Sequence, residues 1–335
     1  MVDAAHQVVY RGVMPVLVCL GLLANSLCGL ILIKPSFTTS WVNRYFLVLV
    51  VSDLLVCVFT IPIITTINGC TSSSYFEAKY YAHFGWSLFA LCQSVETYTI
   101  MWLAMDRFMA VWMYQIYPRI QKKPNFMLIR MIVTIVLCIL FHLVYMIKSE
   151  VKDAVVDGIP YDNSKNESNI QECIGNKTAI SDGFHYEYKT QWHEIYRYFY
   201  SWTMKWLPSC LILVFNASLV FGVVIRRIKF RAAKESGKRR ERNLIILSIA
   251  LAASHILLTL PITVYFIKYG ELQLDRCCSN LPRDLFLHVA NILQLLESII
   301  PIMFQVALNH NFKKELKILL KLEERTIDSE LSTRN

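Results

Sequence analysis

The chain has 335 residues, 55% hydrophobic and 18% charged, with a formal net charge of +9. A soluble domain carries roughly 25% charged residues, and several apolar runs here reach the ~20 residues that cross a bilayer; a soluble globular protein is excluded and one polytopic membrane domain is predicted. The basic excess is confined to particular loops, which argues against a nucleic-acid partner.

The first span is predicted from Val13 to Ile33, after a short extracellular segment of residues 1–12; the run is long enough to cross, so it reads as a helix and not as a cleaved leader. Asn25 is its one strongly polar central side chain, and a buried amide in lipid needs an interhelical partner. The second span runs from Tyr45 to Ile67, with Asp53 near mid-membrane and Pro62 set to kink the helix. A carboxylate at that depth must be protonated, paired or ion-bound. The third span, His83 to Val111, carries Glu96 and ends in Asp106-Arg107-Phe108, above a loop with Arg119, Lys122 and Lys123. Charges at that boundary are costly and mark function; the plainer alternative is that Arg107 only snorkels to the interface.

The fourth span runs from Phe126 to Ile147. The loop after it contains Asn166-Glu167-Ser168 and Asn176-Lys177-Thr178, both in the form of glycosylation acceptors, which places it outside the cell. The fifth span, Phe199 to Ile225 with Pro208, leads into the basic run Arg226 to Arg242. By the charge bias of membrane loops that run is cytoplasmic, and it can meet an acidic partner or anionic lipid. The sixth span, Asn243 to Ile267, holds Pro261; the seventh, Leu285 to Leu308, holds Glu297, Ser298 and Pro301. Residues 309–322 are apolar on one face and basic on the other, as an interfacial cytoplasmic helix would be, and the polar tail 323–335 is expected to be disordered. The predicted class is an all-α membrane protein: a seven-transmembrane helix bundle over 13–308 with a short amphipathic helix eight.

Seven spans with these residues resemble the rhodopsin-like (class A) G-protein-coupled receptors. The family's first-span Asn resembles Asn25, its second-span acid Asp53, its Asp-Arg-Tyr triplet Asp106-Arg107-Phe108, and its fifth- and sixth-span prolines Pro208 and Pro261. Its seventh-span proline motif is similar to Pro301-Ile302-Met303-Phe304, although counting back from Phe312 suggests a one-residue shift that puts Gln305 at the motif's Tyr position. The usual outer Cys of the third span is absent, near Ala82, as are the fourth-span Trp and the sixth-span aromatic, here Leu258-Thr259-Leu260-Pro261. The resemblance implies a bridge to Cys173, with Cys70 as its partner and Cys277 or Cys278 as alternatives.

The missing residues and short inner loop resemble FMRFamide-receptor-like neuropeptide receptors and related orphan receptors. That implies a plasma-membrane receptor, not an enzyme, with an extracellular N-terminus, a peptide ligand, a heterotrimeric G protein and arrestin as inner partners, and lipid contacts. The family's amine-binding Asp would fall at Phe89 and no seventh-span Lys is present, which disfavours an aminergic receptor or an opsin. The expected ligand surface is an aromatic, polar mouth of Trp86, Phe89, Gln93, Trp192, Tyr196, Tyr200, Tyr265 and His288; the plainer alternative is that such rings anchor at the lipid interface. Asp106 is expected to hold Arg107 until outward movement of the sixth helix about Pro261 frees it, with Phe108, Pro301 and Phe304 in the same relay.

The family binds sodium beside its second-span acid. Glu96, eleven residues before Arg107, falls where the family commonly has Ser, and Glu297, followed by Ser298, falls in the shifted register where it commonly has Asn. Three carboxyls together with Asp53, near Asn25, cannot all be ionised in a low-dielectric core, so a sodium ion at Asp53 or protons must sit among them. No other cofactor is expected. Activation sensitive to pH or sodium follows; the plainer alternative is an ordinary interhelical hydrogen bond from a protonated Glu. Rival readings are a receptor with a non-peptide ligand, a signalling-dead heteromer partner and, further off, an ion transporter.

Overall fold

The computed structural model describes residues 6–66, 75–121, 125–147, 149–153, 155–156, 159–160, 184–188, 193–229, 235–269 and 281–320. Among the described residues six helices are long and apolar enough to cross a membrane: Val8–Leu32, Trp41–Ile64, Phe126–Val144, Tyr198–Ile225, Asn243–Tyr265 and Leu285–Leu308. The chain is a multi-pass membrane protein. Between the second and third of these lies a long helix of more polar composition, and it occupies the centre of the bundle.

The helices are α1 (Met14–Leu32), α2 (Trp41–Thr66), α3 (Trp86–Trp112), α4 (Phe126–Ile147), α5 (Leu207–Lys229), α6 (Glu235–Tyr269), α7 (Leu281–Glu297), α8 (Ile300–Leu308) and α9 (His310–Leu319). Central α3 packs against α2, α4, α5 and α6. It carries Gln93, Glu96, Thr97, Tyr98 and Thr99, which a helix screened from lipid by its neighbours can keep. α4 shows the opposite arrangement. Leu128, Ile132, Val136, Ile139 and Leu143 are exposed on one face, while Arg130, Thr134, Cys138 and His142 are buried on the other. Helical periodicity is kept, but the apolar face looks outward, as lipid demands.

Departures from regular helix sit at the prolines and the outer ends. A π-helical turn, Val8–Val13, extends α1 outward beyond its predicted start. Another, Trp202–Trp206, precedes α5 and leaves Pro208 in its first turn, where the missing N–H costs nothing. The seventh span breaks between α7 and α8 at Ser298-Ile299, just before Pro301, because proline cannot donate to the preceding turn. α6 begins at Glu235, earlier than predicted, since the Lys, Arg and Glu residues ahead of Asn243 are good helix formers in water. After α4, β1 (Ser149–Asp153) pairs antiparallel with Phe184–Tyr188, so this segment adds strands to a chain predicted to be all helix.

At the inner end α9 starts on the Asn309 side chain, which accepts from the Phe312 N–H at 3.2 Å. Phe312 is fully buried, edge-on to Phe37 at 6.4 Å. Lys34 and Glu315 meet at 2.5 Å, but both are partly solvated, so the pair adds little beyond fixing the angle of α9.

Candidate functional site

Two clusters of buried ionisable side chains lie along α3. The inner one is built on its last turns. Arg107 donates from Nη2 to Asp106 Oδ2 at 2.5 Å and to the Tyr117 hydroxyl at 2.9 Å, and that hydroxyl donates to the same Asp106 oxygen at 2.8 Å. Arg130 of α4 approaches Asp106 Oδ1 at 3.8 Å, its guanidinium 4.4 Å from the Phe126 ring centroid and 5.2 Å from that of Trp102. Trp102 is fixed in turn by donating to Thr134 Oγ1 at 2.9 Å. Asp106 is 2% exposed and Arg107 8%, so the acid is out of water and held by two cations and a hydroxyl. Burial pushes the Tyr117 hydroxyl above its usual ionisation range, Arg107 opposing and Asp106 adding to the shift, so it stays a donor. Phe108 packs against Phe215 of α5 at 5.5 Å.

The middle cluster lies about three turns further out. Glu96 of α3, His255 of α6 and Glu297 of α7 are all buried, and one ligating atom from each lies within 4.8 Å of the others. His255 Nδ1 is hydrogen-bonded to Glu297 Oε1. Asp53 of α2 is wholly buried and its carboxyl faces those of Glu96 and Glu297. Among the described residues neither Asp53 oxygen completes a hydrogen bond of ordinary geometry. The break in the seventh span shapes this region: Asn25 donates to the Ser298 carbonyl at 2.8 Å and to that of Gly21 at 3.0 Å. Gly21 admits α1 this closely, since a Cβ there would sit 2.6 Å from Cys57 Sγ. Gln305 is fully buried and accepts from Asn309 at 3.0 Å; Pro301 is buried and Phe304 half-buried.

The residues of the expected mouth divide into separate groups. Gln93 and Tyr200 line a polar cavity of about 40 Å³ between α3, α5 and α6, whose inner end is Glu96, His255 and Glu297. Trp86 and Phe89, edge-on at 6.0 Å, line an apolar cavity of about 30 Å³ toward α1, α2 and α7. Tyr265 stacks on Phe286 at 6.2 Å, and His288 packs edge-on to Tyr10 at 5.2 Å, so these two join neighbouring elements. Tyr196 donates to the Phe141 carbonyl, and the Tyr200 hydroxyl meets His142 Nε2 at 3.1 Å, which ties the outer end of the fifth span to α4. Trp192, Asn166, Asn176, Cys70, Cys173, Cys277 and Cys278 lie outside the described residues. The described cysteines, Cys19, Cys28, Cys57, Cys92, Cys138 and Cys210, are free thiols.

Four participants escaped the sequence reading. His255 and Arg130 are single ionisable residues inside apolar spans, and that isolation is itself the signal. Lys205, on the cavity wall, is the same case. Tyr117 gave none: an exposed-looking aromatic after a helix acquires its role only when the chain turns back. The family model for the serpentine type 7TM GPCR chemoreceptor Srw matches residues 12–323. No curated protein matches the chain.

Proposed function

The chain belongs to the serpentine 7TM GPCR chemoreceptor family Srw, and on that premise we propose that it is a plasma-membrane receptor passing the binding of an extracellular peptide to a heterotrimeric G protein. In this reading α3 is a span in its own right, the third in a rhodopsin-like order of seven with the N-terminus outside, and α9 lies on the inner leaflet. One observation carries it: the Asp106–Arg107 pair, closed by Tyr117 and Arg130, at the inner end of the central helix. A ligand that binds better when α6 has moved shifts the population toward that arrangement and exposes Arg107 to the G protein. In this reading activation frees Arg107 from this cluster, which ties α3 and the turn after it to α4.

A small-molecule ligand is the second reading, favoured by the polar lining of the cavity between α3, α5 and α6, which at about 40 Å³ must widen to admit one. The test is G-protein recruitment in cells against a library of amidated neuropeptides, with Arg107→Ala at matched surface expression. The expected result is a peptide that recruits through the wild-type chain and not through the variant. Normal coupling by Arg107→Ala would remove the inner cluster from the mechanism, and silence to every peptide would move the ligand to the second class.

A further inference from the structure

The middle cluster contains something a sodium pocket does not need: an imidazole. We propose that Glu96, His255 and Glu297 form a site for a divalent transition-metal ion of the zinc class, with Asp53 as its outer acid, and that the bound ion clamps α3, α6 and α7 together.

The geometry is right for it. Ligands at ~2.1 Å from a tetrahedral zinc lie ~3.4 Å from one another, and the three atoms here already fall within 4.8 Å, so closing on an ion requires small side-chain movements and no helix displacement. The His255–Glu297 hydrogen bond is the contact such a pair makes when a proton occupies the ion's place. Charge points to the same class. Glu96, Glu297 and Asp53 offer up to three negative charges, of which a divalent ion offsets two and a monovalent ion one. Imidazole with carboxylate selects zinc and its neighbours, whereas calcium, magnesium and sodium prefer oxygen alone.

Asp53 is the third acid of the group. It is fully buried and its carboxyl meets that of Glu96. An ion held by the three ligands therefore also lies beside the Asp53 carboxyl. Access comes through the polar cavity, which runs inward past Gln93, Tyr200 and Lys205 to the three ligands.

That the clamp favours the inactive receptor rests on the reading under Proposed function; that the ion binds does not. The experiment uses the full-length protein purified in nanodiscs, with Zn²⁺ alone as probe. Saturating Zn²⁺ is expected to raise the melting temperature by roughly 5 °C, with about one ion bound per receptor and full reversal by EDTA. Sodium and calcium at matched ionic strength are expected to leave it unmoved. His255→Phe, which keeps a ring of similar size, should weaken binding roughly 100-fold or more, and His255→Cys, which restores a ligand, should recover it. Asp53→Asn should weaken binding about tenfold, as outer partners do. No shift in the wild type, an equal shift in His255→Phe, or an equal shift with sodium overturns the proposal. In cells, Zn²⁺ should lower basal G-protein activity through the wild type and not through His255→Phe; an unchanged basal activity overturns the clamp. Should Arg107→Ala couple normally while the zinc shift persists, the receptor mechanism fails and the site stands.

Discussion

The inner and middle clusters gather similar numbers of ionisable groups around one helix, α3, and balance them in opposite ways. At the inner end one acid, Asp106, is met by Arg107, Arg130 and the Tyr117 hydroxyl, so its charge is fully answered by protein. In the middle, Asp53, Glu96 and Glu297 are met by the single imidazole of His255, and the deficit must be filled by protons or an ion. A cluster that is complete in itself can act as a latch, whose state depends on helix positions. A cluster short of cations can act as a sensor, whose state depends on what is dissolved around it. The two share α3, the inner one tying it to α4 and the middle one to α2, α6 and α7, so a movement of α3 acts on both.

The sharpest way to break the comparison is to remove one side of the inner latch. Asp106→Asn leaves Arg107 and Arg130 facing each other with no acid between them. Breaking a buried pair costs roughly 3–5 kcal/mol when its partner stays behind, and only the part lost from the inactive arrangement shifts the balance. Basal G-protein activity should therefore rise at least about tenfold, while Arg107→Ala should lose coupling by about 100-fold or more. A ligand-independent activity assay at matched surface expression reads both. If Asp106→Asn leaves basal activity where it was, the inner cluster holds structure and not state.

The sequence made this contrast half legible. Spacing along each span was enough to put Asp106 beside Arg107 and to place Asp53, Glu96 and Glu297 at one depth, because a helix converts residue number directly into height. What spacing does not convey is rotation. His255 and Arg130 belong to their clusters because α6 and α4 turn those faces inward; on α4 the stripe Arg130, Thr134, Cys138 and His142 marks that face, but not which neighbour it meets. The same limit explains the mouth: Trp86, Gln93, Tyr200, Tyr265 and His288 all fall in the same half of their spans but face different neighbours. The broken seventh span was foreshadowed by Pro301, and its consequence, a carbonyl freed for Asn25, needed three dimensions.

Gly21 offers a way to disturb the middle cluster and leave the inner one alone. A Cβ there would stand 2.6 Å from Cys57 Sγ and 3.4 Å from Ser298 Oγ, so α1 must back away from the helices that carry Asp53 and Glu297. Gly21→Ala should cost about 2 kcal/mol, as overpacking does, and lower the melting temperature by several degrees. Cys57→Ala in the same chain should recover much of that loss, because it removes the atom that is struck. A double variant no more stable than Gly21→Ala would mean that the two helices do not meet there. Tyr117→Phe then trims the latch without opening it. Its hydroxyl accepts from Arg107 and donates to Asp106, and because the direct Asp106–Arg107 contact remains, losing these two hydrogen bonds costs roughly 1.5 kcal/mol net. Basal activity should rise about threefold, well short of Asp106→Asn.

The smallest effect separates support from sensing in the middle of the bundle. Asn25 touches the backbone at Gly21 and Ser298 but no carboxyl of the cluster. Interhelical hydrogen bonds in membranes contribute about 0.6 kcal/mol on average, because the alternative in lipid is some other partner and not water. Asn25→Leu should therefore lower the melting temperature by only a degree or two, while the zinc response of the purified protein stays at its wild-type concentration. If the zinc response moves with Asn25→Leu, the Ser298 carbonyl is helping to aim Glu297, and the break in the seventh span becomes part of the sensor. If it does not, the sensor is confined to side chains of α2, α3, α6 and α7, and α1 serves only to brace the break.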